Sequence, residues 1–522
     1  SVNVYGQTLI GNSQGLTVNT SGGAVTFNGS IDSANQYASI YVSAGINWTD
    51  ALAQAKSGTG ANTGDTYLAT ITSRLENAIA SQAVSYNSSW LGARRVTGIG
   101  TNNLWRWVAG PEGLTDGGNG LAFSNQATSG GASPHNGYFN NWSSNEPNNW
   151  TGSSTGTDQS TEGESVMQFT GSLGKWNDLP KTGYNLNYYV KETNATASAL
   201  TITAGAGAVA LNGAVGSNKT LSTLTVNSAS VTASAVNTTT SVNITNTAAS
   251  SITGAITGNG AFTKSGAGTL TLSGTSDYRG STTLNAGTLK ISSTGKIYLT
   301  DITTNLNVNA GAVLDVYNWG WQGSLGNFRF DPPNLVINGG TIRYSGVTGG
   351  DWRSFTVLSG GATFDNPTAG VNWSLNTSAQ APVISGDLTF TGAGNTAMNQ
   401  TLTGSGYSII KNGEGTLTLG VNNTYTGATT INAGTLQVGA GGATGSLGSG
   451  NVVNNGALVF NSTGSSTVSG VISGAGTFTK LGSGTVSLTG ANTYTSGTIL
   501  SGGTLGIYNN TAAGTNAITA AD

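Results

Sequence analysis

Three segments of the chain repeat one pattern of residues at fixed spacings. They read KSGAGTLTLSGTSDYRGSTTLNAGTLKI from Lys264, KNGEGTLTLGVNNTYTGATTINAGTLQV from Lys411 and KLGSGTVSLTGANTYTSGTILSGGTLGI from Lys480. In each copy a glycine follows the lysine by four residues, a tyrosine follows that glycine by ten, and the threonine of a Gly-Thr-Leu follows after ten more. The positions are Gly268, Gly415 and Gly484, then Tyr278, Tyr425 and Tyr494, then Thr288, Thr435 and Thr504. Agreement among three copies is typical of a chain built from stacked, equivalent units.

The residues between these fixed positions alternate between apolar and small polar types. LNVNAGAVLDV and LVINGGTI are further examples outside the three copies. Alternation with a period of two is typical of strands, and glycine or asparagine suits the corners where φ must be positive. The pattern therefore predicts a mainly β fold, a parallel β-solenoid with rungs of roughly 20 residues spaced about 4.8 Å apart. We expect the repeated tyrosines to have a structural role.

Composition narrows the classes of partner and location. Charged residues make up 7% of the chain, the formal net charge is −3, and lysine and arginine form no basic patch, so we expect no nucleic-acid partner. No apolar run approaches the ~18 residues of a membrane helix, so we expect no membrane span in this chain. The chain contains no cysteine, which suits a bacterial cell-surface or secreted protein, although it also suits the cytosol.

One segment, 35–193, has a different character. It holds seven of the 11 tryptophans and the predicted helices. SRLENAIASQAV has Ser73 and Glu76 at capping-box spacing, with Leu75 and Ile79 on one face. NWTDALAQAK predicts a second short helix with Thr49 as its N-cap. We therefore expect an α+β domain over 35–193, inserted between first β-helix rungs at 1–34 and further rungs at 194–522.

The repeats resemble the passenger-associated repeats of autotransporters and other large bacterial surface proteins. The resemblance is close over 254–291, 404–439 and 470–507. It implies a right-handed β-helix on the outside of a bacterium.

The segment 35–193 resembles a C-type lectin-like domain through a series of motifs in order. They are NWTDALAQAK, YLATITSRLENA, WLGA, WRWVAG, FNNWSSNEPNN, ESVMQF, GKWNDLP and YYVKE. Glu-Pro-Asn followed by Trp-Asn-Asp is the most specific part of this resemblance.

The resemblance implies a Ca²⁺ site and a sugar bound through the ion. Its ligands would be Glu146, Asn148, Asn177 and Asp178, with either Glu162 or Glu164 as a further carboxylate. The chemistry agrees, because Ca²⁺ takes six to eight oxygen ligands of these kinds. A cis bond before Pro147 would turn Glu146 and Asn148 toward one ion. Two hydroxyls of a mannose- or glucose-like sugar would complete the shell and bond to Glu146, Asn148 and Asn177. Trp142 and Trp150 are candidates to stack on the sugar, or else props of the core or loop.

These features lead to an adhesin-like protein that needs no catalysis and binds glycans or surface proteins. The alternative is a structural subunit of an extracellular filament, sheath or surface layer, self-associating by end-to-end stacking of the β-helix. A polysaccharide-cleaving enzyme would need carboxylates that converge on a groove. Outside 35–193 the carboxylates are few and dispersed, for example Asp315, Asp331, Asp351 and Asp365, so we expect no enzyme.

Overall fold

The chain divides into two compact units. The computed structural model describes residues 1–10, 15–56, 66–85, 87–96, 104–115, 120–125, 133–136, 138–144, 146–147, 166–170, 174–180, 184–193, 197–298, 304–320, 323–325, 334–351, 353–376 and 380–520. The solenoid unit comprises Ser1–Gly6, Thr17–Ser30 and Leu200–Asp522, and the inserted unit comprises Gln7–Leu16 and Ile31–Ala199. The segment 35–193 lies within the inserted unit, which also takes part of the residues 1–34 that we expected to form rungs.

The solenoid unit is built from parallel strands. In its described residues the largest sheet has 15 strands: Val2–Val4, Val25–Phe27, Ala208–Leu211, Ser230–Ala233, Ser250–Ile252, Thr269–Leu272, Gly287–Ile291, Ala312–Val316, Gly340–Tyr344, Ala362–Asp365, Leu388–Thr391, Ile409–Lys411, Thr429–Ile431, Val452–Asn454 and Ile472–Ser473. An 11-stranded sheet holds Leu16–Asn19, Ala199–Thr203, Leu221–Ser228, Val236–Asn246, Ile256–Gly258, Ala261–Ser265, Thr282–Leu284, Leu306–Asn309, Leu335–Asn338, Thr356–Val357 and Val383–Ile384.

Two further sheets belong mainly to the C-terminal rungs. A nine-stranded sheet holds Gly349–Asp351, Asn372–Leu375, Asn395–Met398, Thr416–Leu419, Thr435–Val438, Ala457–Phe460, Thr477–Lys480, Thr498–Leu500 and Ile518–Ala520. A three-stranded sheet holds Ser466–Val468, Thr485–Leu488 and Thr504–Ile507, and Thr275–Ser276 pairs with Lys296–Ile297. The predicted parallel β-solenoid is confirmed; its right-handedness stays a prediction.

Register gives the length of a rung and shows which strands on either side of the inserted unit pair with each other. Thr269 pairs with Thr288, Thr416 with Thr435 and Thr485 with Thr504, so one rung takes 19 residues in each repeat. Val25 pairs directly with Val209, although the inserted unit lies between them in the sequence. The insertion therefore interrupts the chain between two adjacent rungs.

The three repeats occupy different sheets. The strand that ends near the repeat lysine lies in the 11-stranded sheet for the first copy, the 15-stranded sheet for the second and the nine-stranded sheet for the third. The following strand lies in the 15-, nine- and three-stranded sheets, respectively. Each copy is therefore shifted by one sheet around the solenoid relative to the copy before it.

The repeat lysines are buried and bond to backbone carbonyls. Nζ of Lys264 donates to the carbonyl oxygens of Ser265 and Gly266, both at 2.8 Å, and of Ala286 at 3.1 Å. Nζ of Lys411 makes the same three bonds one repeat later, and Nζ of Lys480 donates to Gly482 and Gly502. Burial lowers the pKa of Lys264 and of Lys411 to about 8, and it also lowers the pKa of Lys480. Each lysine ties its own turn to the turn of the next rung.

The repeat glycines Gly287, Gly434 and Gly503 close the corners before the second Gly-Thr-Leu strand. Their φ angles are +66°, +66° and +67°. A Cβ atom there would also lie 2.3–2.5 Å from a carbonyl oxygen of the preceding rung. A side chain is therefore excluded by both conformation and space.

Four charged residues form a ladder of alternating sign on the outside of the 15-stranded sheet. Lys290, Asp315, Arg343 and Asp365 pair in register on successive strands. Nζ of Lys290 lies 3.9 Å from Asp315, and Nε of Arg343 lies 2.8 Å from Asp365. Two of the dispersed aspartates thus have structural partners; Asp331 and the side chain of Asp351 lie outside the described residues.

The inserted unit is α+β, as predicted. Its described residues hold helices α1 (Trp48–Ala55) and α2 (Arg74–Ala83), the 3-10 helix Pro111–Leu114, and the parallel pair Thr8–Ile10 and Ile31–Ser33. Its main sheet holds Leu121–Asn125, Leu104–Trp107, Ser89–Val96, Val166–Phe169 and Trp176–Leu179 in spatial order, with Leu186–Thr193 joining Gln36–Ile46, Thr66–Leu68 and Ser89–Val96.

The observed N-cap is the predicted residue for helix α2 and a different residue for helix α1. Ser73 caps α2 by accepting from the Glu76 N–H at 3.1 Å, as predicted, while the Glu76 carboxylate accepts from the Thr72 N–H at 2.9 Å. The N-cap of α1 is Asn47, whose Oδ1 accepts from the Asp50 N–H at 2.9 Å, so the prediction of Thr49 was wrong. The side chain of Leu75 lies outside the described residues.

Candidate functional site

Aromatic side chains fill the core on which the candidate site rests. Trp105, Trp107, Trp142 and Trp176 belong to one buried cluster. The Trp142 ring lies 4.9 Å from the ring of Trp105 and 5.9 Å from that of Trp176, and its Nε1 donates to Ser124 Oγ at 3.1 Å. Only 8% of Trp142 is exposed. This burial supports the interpretation of Trp142 as a core prop; its stacking on a sugar stays a prediction.

Helix α2 fixes the strand that carries Asn177 and Asp178. Asn77, which is 5% exposed, accepts from Nε1 of Trp176 at 2.8 Å through its Oδ1. Its Nδ2 donates to the Gly174 carbonyl at 3.1 Å. One buried amide thus positions both the strand start and the tryptophan next to Asn177.

A parallel bridge joins the Glu-Pro-Asn segment to the Trp-Asn-Asp strand. Trp142 pairs with Trp176; the Trp176 N–H donates to Asn141 O at 3.1 Å, and the Ser143 N–H donates to Trp176 O at 2.9 Å. Because the pairing is parallel, both segments leave the bridge in the same direction. The Glu-Pro-Asn segment enters a turn that is closed by a hydrogen bond of 3.1 Å from the Glu146 N–H to Ser143 O. The Trp-Asn-Asp strand continues to Asn177 and Asp178.

The three described ligand candidates differ in exposure. Glu146 and Asn177 are half-buried, whereas Asp178 is 0% exposed. Nδ2 of Asn177 donates to the carbonyl oxygen of Asp178 at 2.9 Å, which leaves the amide oxygen Oδ1 able to accept or to bind a cation. The peptide bond between Glu146 and Pro147 is cis, as expected.

The other site predictions lie outside the described residues: Asn148, Trp150, Glu162 and Glu164. Within the part of the chain that the structure describes, no group of three or more His, Cys, Asp or Glu side chains is placed to hold a metal ion. The described donors are two carboxylates and one amide, which are the oxygen ligands that Ca²⁺ prefers. The donor set therefore fits calcium by type, with the remaining ligand positions unassigned.

The buried carboxylate of Glu192 was not predicted from the sequence. Glu192 is 1% exposed and accepts from the Thr70 N–H at 2.8 Å, from Thr70 Oγ1 at 3.1 Å and from Tyr67 OH at 3.3 Å. Burial and the charge of Glu192 raise the pKa of Tyr67 and of Tyr37. The available signal was spacing, because Glu192 lies two residues after the core residue Val190 on one strand.

Comparison with known proteins identifies the repeats. Residues 262–291, 409–438 and 478–507 match the passenger-associated-transport-repeat family, within the segments that the sequence analysis delimited.

Two curated proteins are similar to parts of the chain. The adhesin BmaC autotransporter of Brucella suis biovar 1 (strain 1330) is 37% identical over 174 residues, which are 30% of this chain and 5% of that protein. Halomucin of Haloquadratum walsbyi (strain DSM 16790 / HBSQ001) is 32% identical over 125 residues, which are 24% of this chain and 1% of that protein. The chain thus spans a small fraction of the length of either relative. Among the described residues, no helix is long and apolar enough to cross a membrane.

Proposed function

We propose that this chain belongs to a bacterial cell-surface, adhesin-like protein in which the solenoid carries a calcium-dependent, carbohydrate-binding, C-type lectin-like unit. The observation that carries the proposal is the parallel bridge between Trp142 and Trp176. Beyond this bridge one segment turns, through the hydrogen bond from the Glu146 N–H to Ser143 O, to Glu146, and the other continues to Asn177 and Asp178.

The donor chemistry supports calcium. Glu146 and Asp178 supply carboxylate oxygens, and Asn177 supplies an amide oxygen. These are hard ligands of the kind that Ca²⁺ prefers, and the ion is coordinated by six to eight of them. Asn148 and one of Glu162 and Glu164 are the further ligands implied by the resemblance. A bound calcium ion supplies a positive centre for two neighbouring sugar hydroxyls, and Glu146 and Asn177 orient those hydroxyls by hydrogen bonds. This arrangement selects mannose- or glucose-like hydroxyl geometry.

Surface display is supported by the solenoid and its repeats. Three passenger-associated-transport repeats lie in it, and one similar protein bears the name adhesin autotransporter. A stack of parallel rungs is a stiff support in which each rung contacts only the rungs next to it. An inserted binding unit therefore does not disturb the remaining rungs. Glycans or surface proteins are the partners that this arrangement fits.

Calcium binding is tested by thermal unfolding with and without the ion. A ligand at 100 times its dissociation constant stabilises the folded state by about 2.7 kcal/mol, so millimolar Ca²⁺ should raise the melting temperature of the inserted unit. Glu146→Gln should abolish this rise, whereas Asp50→Asn, an exposed carboxylate of the same unit, should retain it. An equal rise in Glu146→Gln would remove Glu146 from the ligands.

Sugar binding is tested on a glycan array with Ca²⁺ and with EDTA. We expect mannose- or glucose-type glycans to bind only with Ca²⁺, and Glu146→Gln to lose them. Binding that persists in EDTA would contradict the proposed mode of recognition.

A further inference from the structure

A buried oxygen atom in the inserted unit has no hydrogen-bond partner among the residues that the structure describes. It is Oε1 of Gln168, on the strand Val166–Phe169, and Gln168 is only 8% exposed. A buried acceptor without a donor destabilises the folded state, and native proteins hold few such groups. The presence of glutamine at this position therefore needs an explanation other than packing of the core.

Register places Gln168 beside the candidate ligand Asn177. The two residues pair directly across the antiparallel strands Val166–Phe169 and Trp176–Leu179. Residues that are opposite each other in such a pair share one face of the sheet, with their Cβ atoms about 4.5–5.5 Å apart. Nδ2 of Asn177 donates to the carbonyl oxygen of Asp178, which leaves its Oδ1 as the atom able to bind a cation. Two amide side chains with available oxygens therefore lie side by side.

The neighbour of Gln168 on its other side gives this oxygen no donor. Gln168 pairs there with Trp90, whose Nε1 donates to the carbonyl oxygen of Ile46 at 2.7 Å. The indole N–H is thus already used in another hydrogen bond. The partner that Oε1 needs must carry positive charge or an N–H or O–H group, and it has to come from outside this row of side chains.

We propose that Gln168 is a further ligand residue of the proposed calcium site, and the inference rests on that site. Gln168 is not one of the ligands that the resemblance implies. An amide oxygen is a neutral, hard ligand of the kind that Ca²⁺ takes, and the ion is coordinated by six to eight oxygens. Glu146, Asn177 and Asp178 are the described candidates, so Oε1 of Gln168 fills one of the positions left unassigned. The atom that destabilises the ion-free unit then stabilises the ion-bound one.

The experiment is isothermal titration calorimetry of the whole chain with CaCl₂ after removal of metal by EDTA. We expect the natural sequence to bind Ca²⁺. Gln168→Met, which keeps the length of the side chain but removes its oxygen, should bind the ion about tenfold more weakly. Gln168→Glu supplies a carboxylate oxygen instead and should bind at least as tightly as the natural sequence. The matched control is Gln82→Met, an exposed glutamine on α2, which should keep the natural affinity.

Thermal unfolding in EDTA separates a lost ligand from a damaged fold. Gln168→Met removes the buried oxygen, so without the ion this variant should melt at or above the temperature of the natural sequence. Its rise in melting temperature on addition of Ca²⁺ should be smaller than that of the natural sequence. A lower melting temperature in EDTA would show that Oε1 has a structural partner and would contradict the ligand role.

The calorimetric outcomes distinguish this inference from the proposed function. Equal affinity for Ca²⁺ in the natural sequence and Gln168→Met would overturn the inference but leave the calcium site standing, and a buried water would then be the partner of Oε1. Weaker binding by Gln168→Glu than by Gln168→Met would also exclude Gln168 as a ligand. A natural sequence that binds no Ca²⁺ would overturn the calcium site itself, and this inference with it.

Discussion

The hydroxyl of Tyr425 lies 2.7 Å from Oγ1 of Thr429, and both residues are buried. The same pair recurs as Tyr278 with Thr282 and as Tyr494 with Thr498, each at 2.5 Å. In every matched repeat, the segment that precedes a strand is therefore tied to that strand by one buried hydrogen bond. The sequence predicted a structural role for these tyrosines but not their partner.

Removing one member of this pair should destabilise the solenoid. Tyr425→Phe leaves the Thr429 hydroxyl buried without its partner, which costs about 1–3 kcal/mol. The double variant Tyr425→Phe, Thr429→Val removes both polar groups and should recover most of that loss. Urea unfolding measures both, and a Tyr425→Phe variant as stable as the natural sequence would contradict the assignment.

The repeat lysines should make stability rise with pH above 8. The pKa of Lys411 is about 8 in the folded chain because burial disfavours the charged amine, against 10.5 when unfolded. Between these values the unfolded chain binds more protons, so the free energy of unfolding increases with pH. Below pH 8 both states are protonated and this dependence ends.

Urea midpoints at pH 7.5, 8.5 and 9.5 measure this effect. Lys411→Met should reduce the rise, to which Lys264 and Lys480 still contribute. Lys290→Met, in which an exposed lysine is changed, should leave the rise intact. An unchanged slope in Lys411→Met would show that its burial does not control the titration.

The repeat tyrosines should reverse this trend at higher pH. Burial raises the pKa of Tyr278, Tyr425 and Tyr494 above the ordinary value of 10.0, and the bonds to threonine oppose the shift only in part. Above pH 10 the unfolded chain therefore binds fewer protons and stability falls. We expect the free energy of unfolding to be largest near pH 9–10. We also expect the buried tyrosines to ionise only when the chain unfolds, and absorbance at 295 nm measures this ionisation. Ionisation of these tyrosines in the folded chain near pH 10 would contradict the raised pKa values.

Helix α1 offers a direct comparison of two cap assignments. Asn47→Ala should destabilise the inserted unit by about 1 kcal/mol, because the Asp50 N–H loses its acceptor. Thr49→Ala should have a smaller effect, since Thr49 lies inside the helix. Thermal unfolding of the two variants ranks them, and a larger loss in Thr49→Ala would reverse the assignment.

The charge ladder should be sensitive to sign. Arg343→Asp would place a carboxylate between Asp315 and Asp365 and should cost about 1 kcal/mol, reduced by added salt. Arg343→Met removes the charge without creating repulsion and should cost less. Urea unfolding at 50 and 500 mM NaCl compares the stabilities of the two variants. Equal losses of stability that do not depend on salt would indicate that packing rather than charge explains both variants.

Local pattern was enough to predict much of this protein. The alternation of apolar and polar residues predicted inward and outward side chains along strands, because successive residues of a strand point to opposite faces. The spacing of Ser73 and Glu76 predicted the start of α2, since the capping bonds span only four residues. The insertion, too, was visible as a change in composition over 35–193.

Other features depended on contacts between distant segments. The burial of Trp142 depends on Trp105 and Trp176. The bridge between Trp142 and Trp176 joins residues more than 30 positions apart. Motif order named both segments, but only the folded chain shows that they pair in parallel.

The sequence by itself determined the content of each repeat: a lysine, a corner glycine, a tyrosine and two strands at fixed spacing. It did not determine where each copy lies around the solenoid. The tertiary structure places the copies on successive sheets and sets Val25 beside Val209. The physical reason is that alternation fixes which side chains face inward, whereas the position of a strand around the stack is the sum of every corner and loop that precedes it.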